Sequence, residues 1–333
     1  MSVSVAIARA LLRREEEEFD GDKCTFDICD IEDSYYKYQP SLIANAILAG
    51  VFGFSCIAFL GQGIFARRWL GFTIAMGLGT AVETVGYVGR IMMHDNPWAQ
   101  NPFMIQIICL TFAPAFLAAG IYFTLSRIVT VFGSESSRIP PKWYPRIFIP
   151  CDFVALVLQS AGGAIASSAD TQEDSDMGTN IMIAGLAFQV ITVFAFMALS
   201  TDFAIRTYRR MRAMGTAALD ARHQRLRSSF FFRAFLGALS LATFCIFVRS
   251  CYRVAELSGG WDGELMSDEP LFIALESVLI AVACLALNAF HPGLCFREGY
   301  DGVASMELKS TAGESSEEFV SHQTPRWGQG NQV

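Results

Sequence analysis

Apolar residues run along this chain in seven long blocks separated by short polar stretches. The blocks are roughly Ser41–Ala66, Leu70–Met93, Phe103–Phe132, Ile147–Ala169, Gly178–Thr201, Phe230–Leu257 and Leu271–Pro292. At about 1.5 Å of rise per residue, about 20 helical residues cover the roughly 30 Å hydrocarbon layer. Each block reaches that length. A buried helix of a soluble protein is usually shorter and keeps a polar face, so seven such blocks in succession predict a polytopic bundle. The alternating strands of about ten residues that a membrane β-barrel needs are absent from the pattern. The expected fold is therefore all-α, a seven-transmembrane-helix bundle over residues 41–292. An extracellular polar N-terminal tail (1–40) precedes it, and a disordered cytoplasmic tail rich in Ser, Gly and Glu (293–333) follows. The opening Met1–Leu12 is broken by Arg9 and followed by Arg13, Arg14 and Glu15–Glu18, which does not read as a cleavable signal.

The polar stretches alternate in charge. Arg67 and Arg68 follow the first block, and Arg138, Lys142 and Arg146 follow the third. Arg206, Arg209, Arg210, Arg212, Arg222, Arg225 and Arg227 follow the fifth. The intervening stretches lack this character. Asp95–Asn101 has no Lys or Arg, and Asp170–Met177 and Ser258–Pro270 are acidic. Lys and Arg collect on the cytoplasmic side, so the N-terminus is expected outside and the C-terminus inside. Trp69, Trp98, Trp143 and Trp261 fall at predicted span ends, where an amphipathic ring prefers the membrane interface. The basic stretch 206–227 either sets topology alone or also meets anionic inner-leaflet lipid or a cytosolic partner.

Composition agrees with this reading. Of 333 residues, 53% are apolar and only 17% charged, against about a quarter charged in soluble proteins. That apolar content excludes disorder for most of the chain. The net charge of −7 argues against a nucleic-acid binder. Cys24 and Cys29 lie on the predicted outer tail, where an oxidising exterior allows a disulfide, the alternative being two free thiols. The other seven cysteines lie mostly in spans, where Cys acts as a small hydrophobe, and their spacing forms no zinc pattern. No phosphate-binding loop, dinucleotide fingerprint, zinc-protease motif or nucleophile elbow occurs, and His94, His223, His291 and His322 are scattered. No enzymatic activity, cofactor or metal is expected.

The informative residues are the ionisable ones inside the blocks, because a charge in hydrocarbon is costly and usually faces the bundle interior. Glu83, Tyr87 and Arg90 share one helical face by their spacing, as do Arg249, Arg253 and Glu256. Asp152 and Gln159 are seven apart, ahead of Gly162–Gly163. Gln106, Tyr122 and Gln189 add polar groups to the third and fifth blocks, and Glu276 lies two turns into the seventh. These twelve are the candidate substrate-lining residues. A polar lining of a central cavity takes the head of an amphipathic substrate while apolar walls take its tail. The competing reading is structural ion pairs, with Glu83 or Glu256 joined to the arginines. Pro114 is expected to kink its helix, and Gly77, Gly79, Gly162 and Gly163 to let helices approach closely.

Several strings resemble the fungal lipid-translocating exporter family, also called the RTA-like (resistance to aminocholesterol) family. They are YKYQPS at Tyr36–Ser41, ETVGYVGR at Glu83–Arg90 and QIICLTFAPAFLAAGIY at Gln106–Tyr122. Further along come DFVALVLQSAGG at Asp152–Gly163, GLAFQ at Gly185–Gln189, VRSCYRVAE at Val248–Glu256 and HPG at His291–Gly293. They arrive in the family's order over roughly Tyr36–Gly293. The family usually shows Glu, Tyr and then Asp entering the last span. Here Glu269 keeps the first, Glu276 stands in the Asp position, and Leu or Ile replaces the Tyr. The resemblance implies a multi-pass protein of the plasma membrane or an endomembrane that exports or flips sphingoid long-chain bases or sterol-like toxins and so confers resistance. Porphyrin or haem efflux is an alternative cargo. A seven-span receptor or sensor, or a regulator of lipid asymmetry, is the rival class. The expected partners are membrane lipids and an amphipathic substrate.

Overall fold

The structure, a computed structural model, describes residues 24–65, 69–169, 171–215, 223–260, 263 and 265–296. Arg67, Arg68, Asp170, Arg222, Trp261, Asp262, Glu264, residues 1–23 of the expected outer tail and 297–333 of the expected inner tail lie outside the described residues. Seven long helices follow one another: α1 (Leu42–Phe65), α2 (Leu70–Asp95), α3 (Gln100–Phe132), α4 (Trp143–Ser167), α5 (Gln172–Met214), α6 (Phe230–Ser258) and α7 (Glu269–Cys295). No strand occurs among the described residues. Six of these helices, all but α2, are long and apolar enough to cross a membrane. Helix α2 has comparable length, 26 residues, but Glu83, Arg90 and its glycines dilute its apolar content. The fold is an all-helical polytopic membrane bundle.

The helix ends follow local chemistry. The Thr171 hydroxyl accepts from the Asp174 amide at the start of α5, and Glu173 and Asp174 meet the positive end of that helix. Asp268 accepts from the Leu271 amide to open α7. Gly133 ends α3 at φ +101°, a conformation that costs glycine little. With 43 residues, α5 is about 65 Å long, roughly twice the hydrocarbon thickness, so its basic end extends past the bilayer. There Arg138 and Arg206 both pair with Asp202 at 2.8 Å, and Arg210 pairs with Glu135.

The helices form a ring in sequence order. α2 packs on α1 and α3, α4 on α3 and α5, α6 on α5 and α7, and α7 returns to α1; α3 also reaches across to α6. α3 is the most buried of the six apolar helices. The tightest crossing joins α4 to α5. A Cβ at Gly162 would strike the Met182 amide and Gly178 carbonyl, and one at Gly178 would strike Ala166 and the Gly162 carbonyl. These glycines let two backbones touch, so the sequence reading of close approach holds at Gly162, whereas Gly163 has only the Met182 sulfur nearby, at 3.8 Å.

Residues 24–41 are folded onto one end of the bundle. A disulfide joins Cys24 to Cys29. Trp98 Nε1 donates to the Asp30 carbonyl at 3.0 Å, Gln39 donates to the His94 carbonyl at 2.9 Å, and Tyr35 stacks on Phe103 at 4.2 Å. This corrects the interfacial role expected for two tryptophans. Trp98 and Trp69 lie at helix ends but are buried, Trp98 under residues 24–41 and Trp69 against Phe296 and Arg127, while Trp143 is exposed.

Gly162→Ala is expected to force α4 from α5 and destabilise the chain by about 1–3 kcal/mol, as over-packing does. Gly163→Ala is expected to change nothing. Thermal midpoints of the detergent-solubilised variants check this, and equal midpoints would contradict the crossing.

Candidate functional site

Helical periodicity places the first cluster. On α2 the residues Thr73, Met76, Thr80, Glu83, Tyr87 and Arg90 recur every three or four positions and are all buried. On α6, Arg249, Arg253 and Glu256 form a matching buried stripe. Opposite them, α7 makes a π turn over Ile273–Val278, which buries both Glu276 and Ser277. Such wider turns shift the face that a helix presents and gather at functional positions.

Pro114 then explains the central contact. Within α3 it has no N–H to give the carbonyl four residues earlier, that of Leu110. An unpaired carbonyl in a dry interior costs free energy. The Arg249 guanidinium reaches from α6, donates to the Leu110 oxygen and pairs with Glu276 of α7. Three helices thus converge on one cation. The expected kink at Pro114 leaves α3 helical from Gln100 to Phe132, and the proline's visible consequence is this freed acceptor.

The chain of polar groups continues toward residues 24–41. Arg253 pairs with Glu256 one turn along α6. Arg90, fully buried, donates to the Tyr38 hydroxyl, lies 4.0 Å from the Phe272 ring centre and 5.0 Å from that of Tyr36, and stands 3.9 Å from Glu269. Gln106 donates to the Tyr36 hydroxyl at 2.7 Å. Burial pushes the Tyr36 and Tyr38 hydroxyls above the ordinary tyrosine range, against the pull of Arg90. Glu269 also accepts from the Ser41 amide at 2.7 Å, which ties the segment to α7. Tyr36, Tyr38 and Glu269 were not among the candidate residues. The first two stand in YKYQPS, whose two tyrosines in an otherwise polar tail were the available signal.

One shared lining was expected for all the charged candidates, and the structure divides it. Glu83, Arg90, Arg249, Arg253, Glu256 and Glu276 belong to the network just described, with Tyr87 stacked on Phe52 at its edge. Asp152 lies apart, because α3 occupies the middle of the ring. Its Oδ2 accepts from Tyr122 at 2.9 Å, and its Oδ1 is buried without a hydrogen-bond partner. Around it Tyr122 lies 4.6 Å from Phe196 and 5.4 Å from Phe148, with Tyr144 beyond. On the same face of α4, Gln159 donates to Gln189 of α5 at 3.2 Å. Three arginines therefore each have a carboxylate, whereas Glu83 and Asp152 have no bonded cation among the described residues.

Two cavities flank the Asp152 cluster. The larger, about 700 Å³, lies among α3, α4 and α5 and is lined by Phe103, Ile107, Thr111, Gln159, Ser160 and Met182, with Tyr35 of the segment before α1. The smaller, about 330 Å³, lies among α3, α5 and α6 and is lined by Leu125, Ile128, Phe132, Phe196 and Thr207. Among the described residues no charged side chain lines either. Along α3 and along α5 the order is the same: larger cavity, aromatic cluster, smaller cavity. Of the twelve candidate residues, Gln159 alone lines either of these two cavities.

The RTA1 like protein family matches residues 76–299, about two thirds of the chain. The sphingoid long-chain base transporter RSB1 of Saccharomyces cerevisiae is 33% identical over 286 residues, covering 79% of this chain and 74% of that protein. Protoporphyrin uptake protein 1 of the same species is 28% identical over 70% of this chain and 71% of its own length. Protein RTM1, also from Saccharomyces cerevisiae, is 28% identical over 64% of each chain. No solved structure matches. With several membrane-crossing helices and a family match across most of the bundle, the chain is an integral membrane protein that belongs to the RTA1-like family.

Proposed function

We propose that this chain carries amphipathic lipids with a cationic head, sphingoid long-chain bases foremost, across the plasma membrane. In this reading all seven helices span, with the N-terminus outside. The observation that carries it is the placement of Asp152, a buried carboxylate in an aromatic cluster between a cavity in each half of the bundle. A carboxylate beside aromatic faces suits an organic ammonium, which gains both an ion pair and cation–π attraction. The apolar cavity walls suit a lipid tail on either side of that point. The likeness to RSB1 supports the same substrate class. Porphyrin cargo, raised by the likeness to protoporphyrin uptake protein 1, fits less well, because porphyrin carboxylates call for cations, which the described residues of the two cavity walls do not include.

In this account the Arg249 network braces the bundle and Asp152 meets the substrate. Asp152→Asn removes the charge that an ammonium pairs with, an interaction of about 1.5–3 kcal/mol, so export of labelled long-chain base from cells should fall by roughly 10- to 100-fold. Expression and melting should be unchanged, and export equal to that of the parent chain would contradict the assignment. Arg249→Met leaves Glu276 buried without its bonded cation and is expected to destabilise the chain by about 3–5 kcal/mol. The double change Arg249→Met, Glu276→Met should recover most of that loss. Thermal unfolding of the single and double variants measures the coupling, and additive losses would contradict a structural pair.

A further inference from the structure

A seam of unpartnered polar atoms runs between α1, α2 and α7, away from the Asp152 cluster. It starts at Glu83, whose Oε1 is buried without a partner within electrostatic reach of Arg249 and Glu276. From there it passes Ser55 Oγ on α1 and then Thr73 Oγ1 on α2. At its far end lie Gln62 Oε1, both amide atoms of Asn288 and His291 Nε2. All of these atoms are buried, and the Ser55, Thr73, Glu83, Asn288 and His291 side chains are more than nine-tenths so.

The contacts hold these groups together. Phe52 stacks on Tyr87 of α2 one turn before Ser55, and Phe59 packs on Phe72 one turn after it. Phe59 and Phe72 both face His291, and Gln62 donates to the Asn288 carbonyl at 3.1 Å. His291 Nδ1 accepts from the Gly293 amide at 3.0 Å, so its Nε2 side is left for the seam. Glu83 and Thr73 are ten residues apart on one face of α2, about 15 Å, which is half the hydrocarbon thickness.

A buried polar atom without a partner costs about 1–3 kcal/mol, and proteins seldom leave several in a row. Where protein atoms do not satisfy such groups, bound water does, at sites with several polar neighbours. We infer that this seam is a hydrated proton path between the His291 end, which the basic loops predict to be cytoplasmic, and the Glu83 carboxylate. A proton bonds to one water, a second proton leaves that water for the next, and the final O–H bond forms on Glu83. No oxidant or leaving group is needed. The titratable and charged groups that face the path are Glu83 and Tyr87 of α2, Cys56 of α1, Cys109 of α3, Arg249 of α6, and Glu276, Cys284 and His291 of α7. Protonating Glu83 leaves Arg249 wholly to Glu276, whereas an ionised Glu83 competes for it. Because Arg249 also holds the Leu110 carbonyl of α3, the proton reaches the helix that lines both cavities. Proton binding at Glu83 is the event to which transport would be coupled, and this inference rests on the transport reading above.

The test uses the full chain in liposomes that contain a pH-sensitive dye, with labelled long-chain base added outside. Base movement accompanied by a dye response is expected, with the response falling to the leak rate of protein-free liposomes in Glu83→Gln and in the double variant Thr73→Val, Asn288→Leu. Base movement with a silent dye, or movement that follows a sodium gradient instead, overturns the proton path and leaves the transport reading standing. A dye response without base movement keeps the path and sinks the transport reading, and silence in both overturns both. Hydroxyl-radical footprinting of the unaltered chain needs no variant to fold. Labelling of Phe59, Phe72 and His291 with Phe235 untouched supports a wet seam, and an unlabelled seam overturns it.

Discussion

The arrangement of this bundle turns on one guanidinium. Arg249 sits where hydrocarbon would otherwise make a charge prohibitive, and three partners hold its place. Pro114 exposes the Leu110 carbonyl, the π turn of α7 delivers Glu276, and Glu83 stands within electrostatic reach on α2. Removing Arg249 or Glu276 leaves a buried charge without its bonded partner, and breaking a buried pair costs far more than forming it gains. The four helices that supply these groups are therefore tied to one another, and α4 and α5, joined at the Gly162–Gly178 crossing, pack on α3 and α6.

That construction separates two regions. On one side of α3, Asp152 and its aromatic neighbours lie between the two cavities. On the other, Glu83 opens onto a polar seam between α1, α2 and α7. Helix α3 touches both, through Tyr122 on the Asp152 side and through the Leu110 carbonyl on the other. The segment before α1 spans the same division, with Tyr35 at the larger cavity and Tyr36 bonded to Gln106.

Much of this was legible in the sequence because helical geometry is periodic. The spacing of Glu83, Tyr87 and Arg90, and of Arg249, Arg253 and Glu256, marked buried stripes, and the helices lie where the apolar blocks were. The division of the lining was not legible, since spacing within a helix does not say which neighbour its face meets; Asp152 and Glu83 looked equivalent until α3 was seen between them. The π turn left no mark in the pattern, because one added residue in a turn is invisible to a hydrophobic count. Pro114 signalled a kink, while the acceptor it frees required knowing that Arg249 lay opposite. Residues 24–41 read as tail because their polar composition resembles one, although Tyr36 and Tyr38 bury against Arg90.

The most direct measurement of the central claim is an experimental structure of the purified chain with a long-chain base bound. The account predicts the ammonium within about 3 Å of the Asp152 carboxylate, the charge-assisted hydrogen-bond distance, with the tail in one of the two flanking cavities. Density for the base on the lipid-facing surface, or its head group among Arg249, Glu276 and Glu83 with Asp152 untouched, would contradict it.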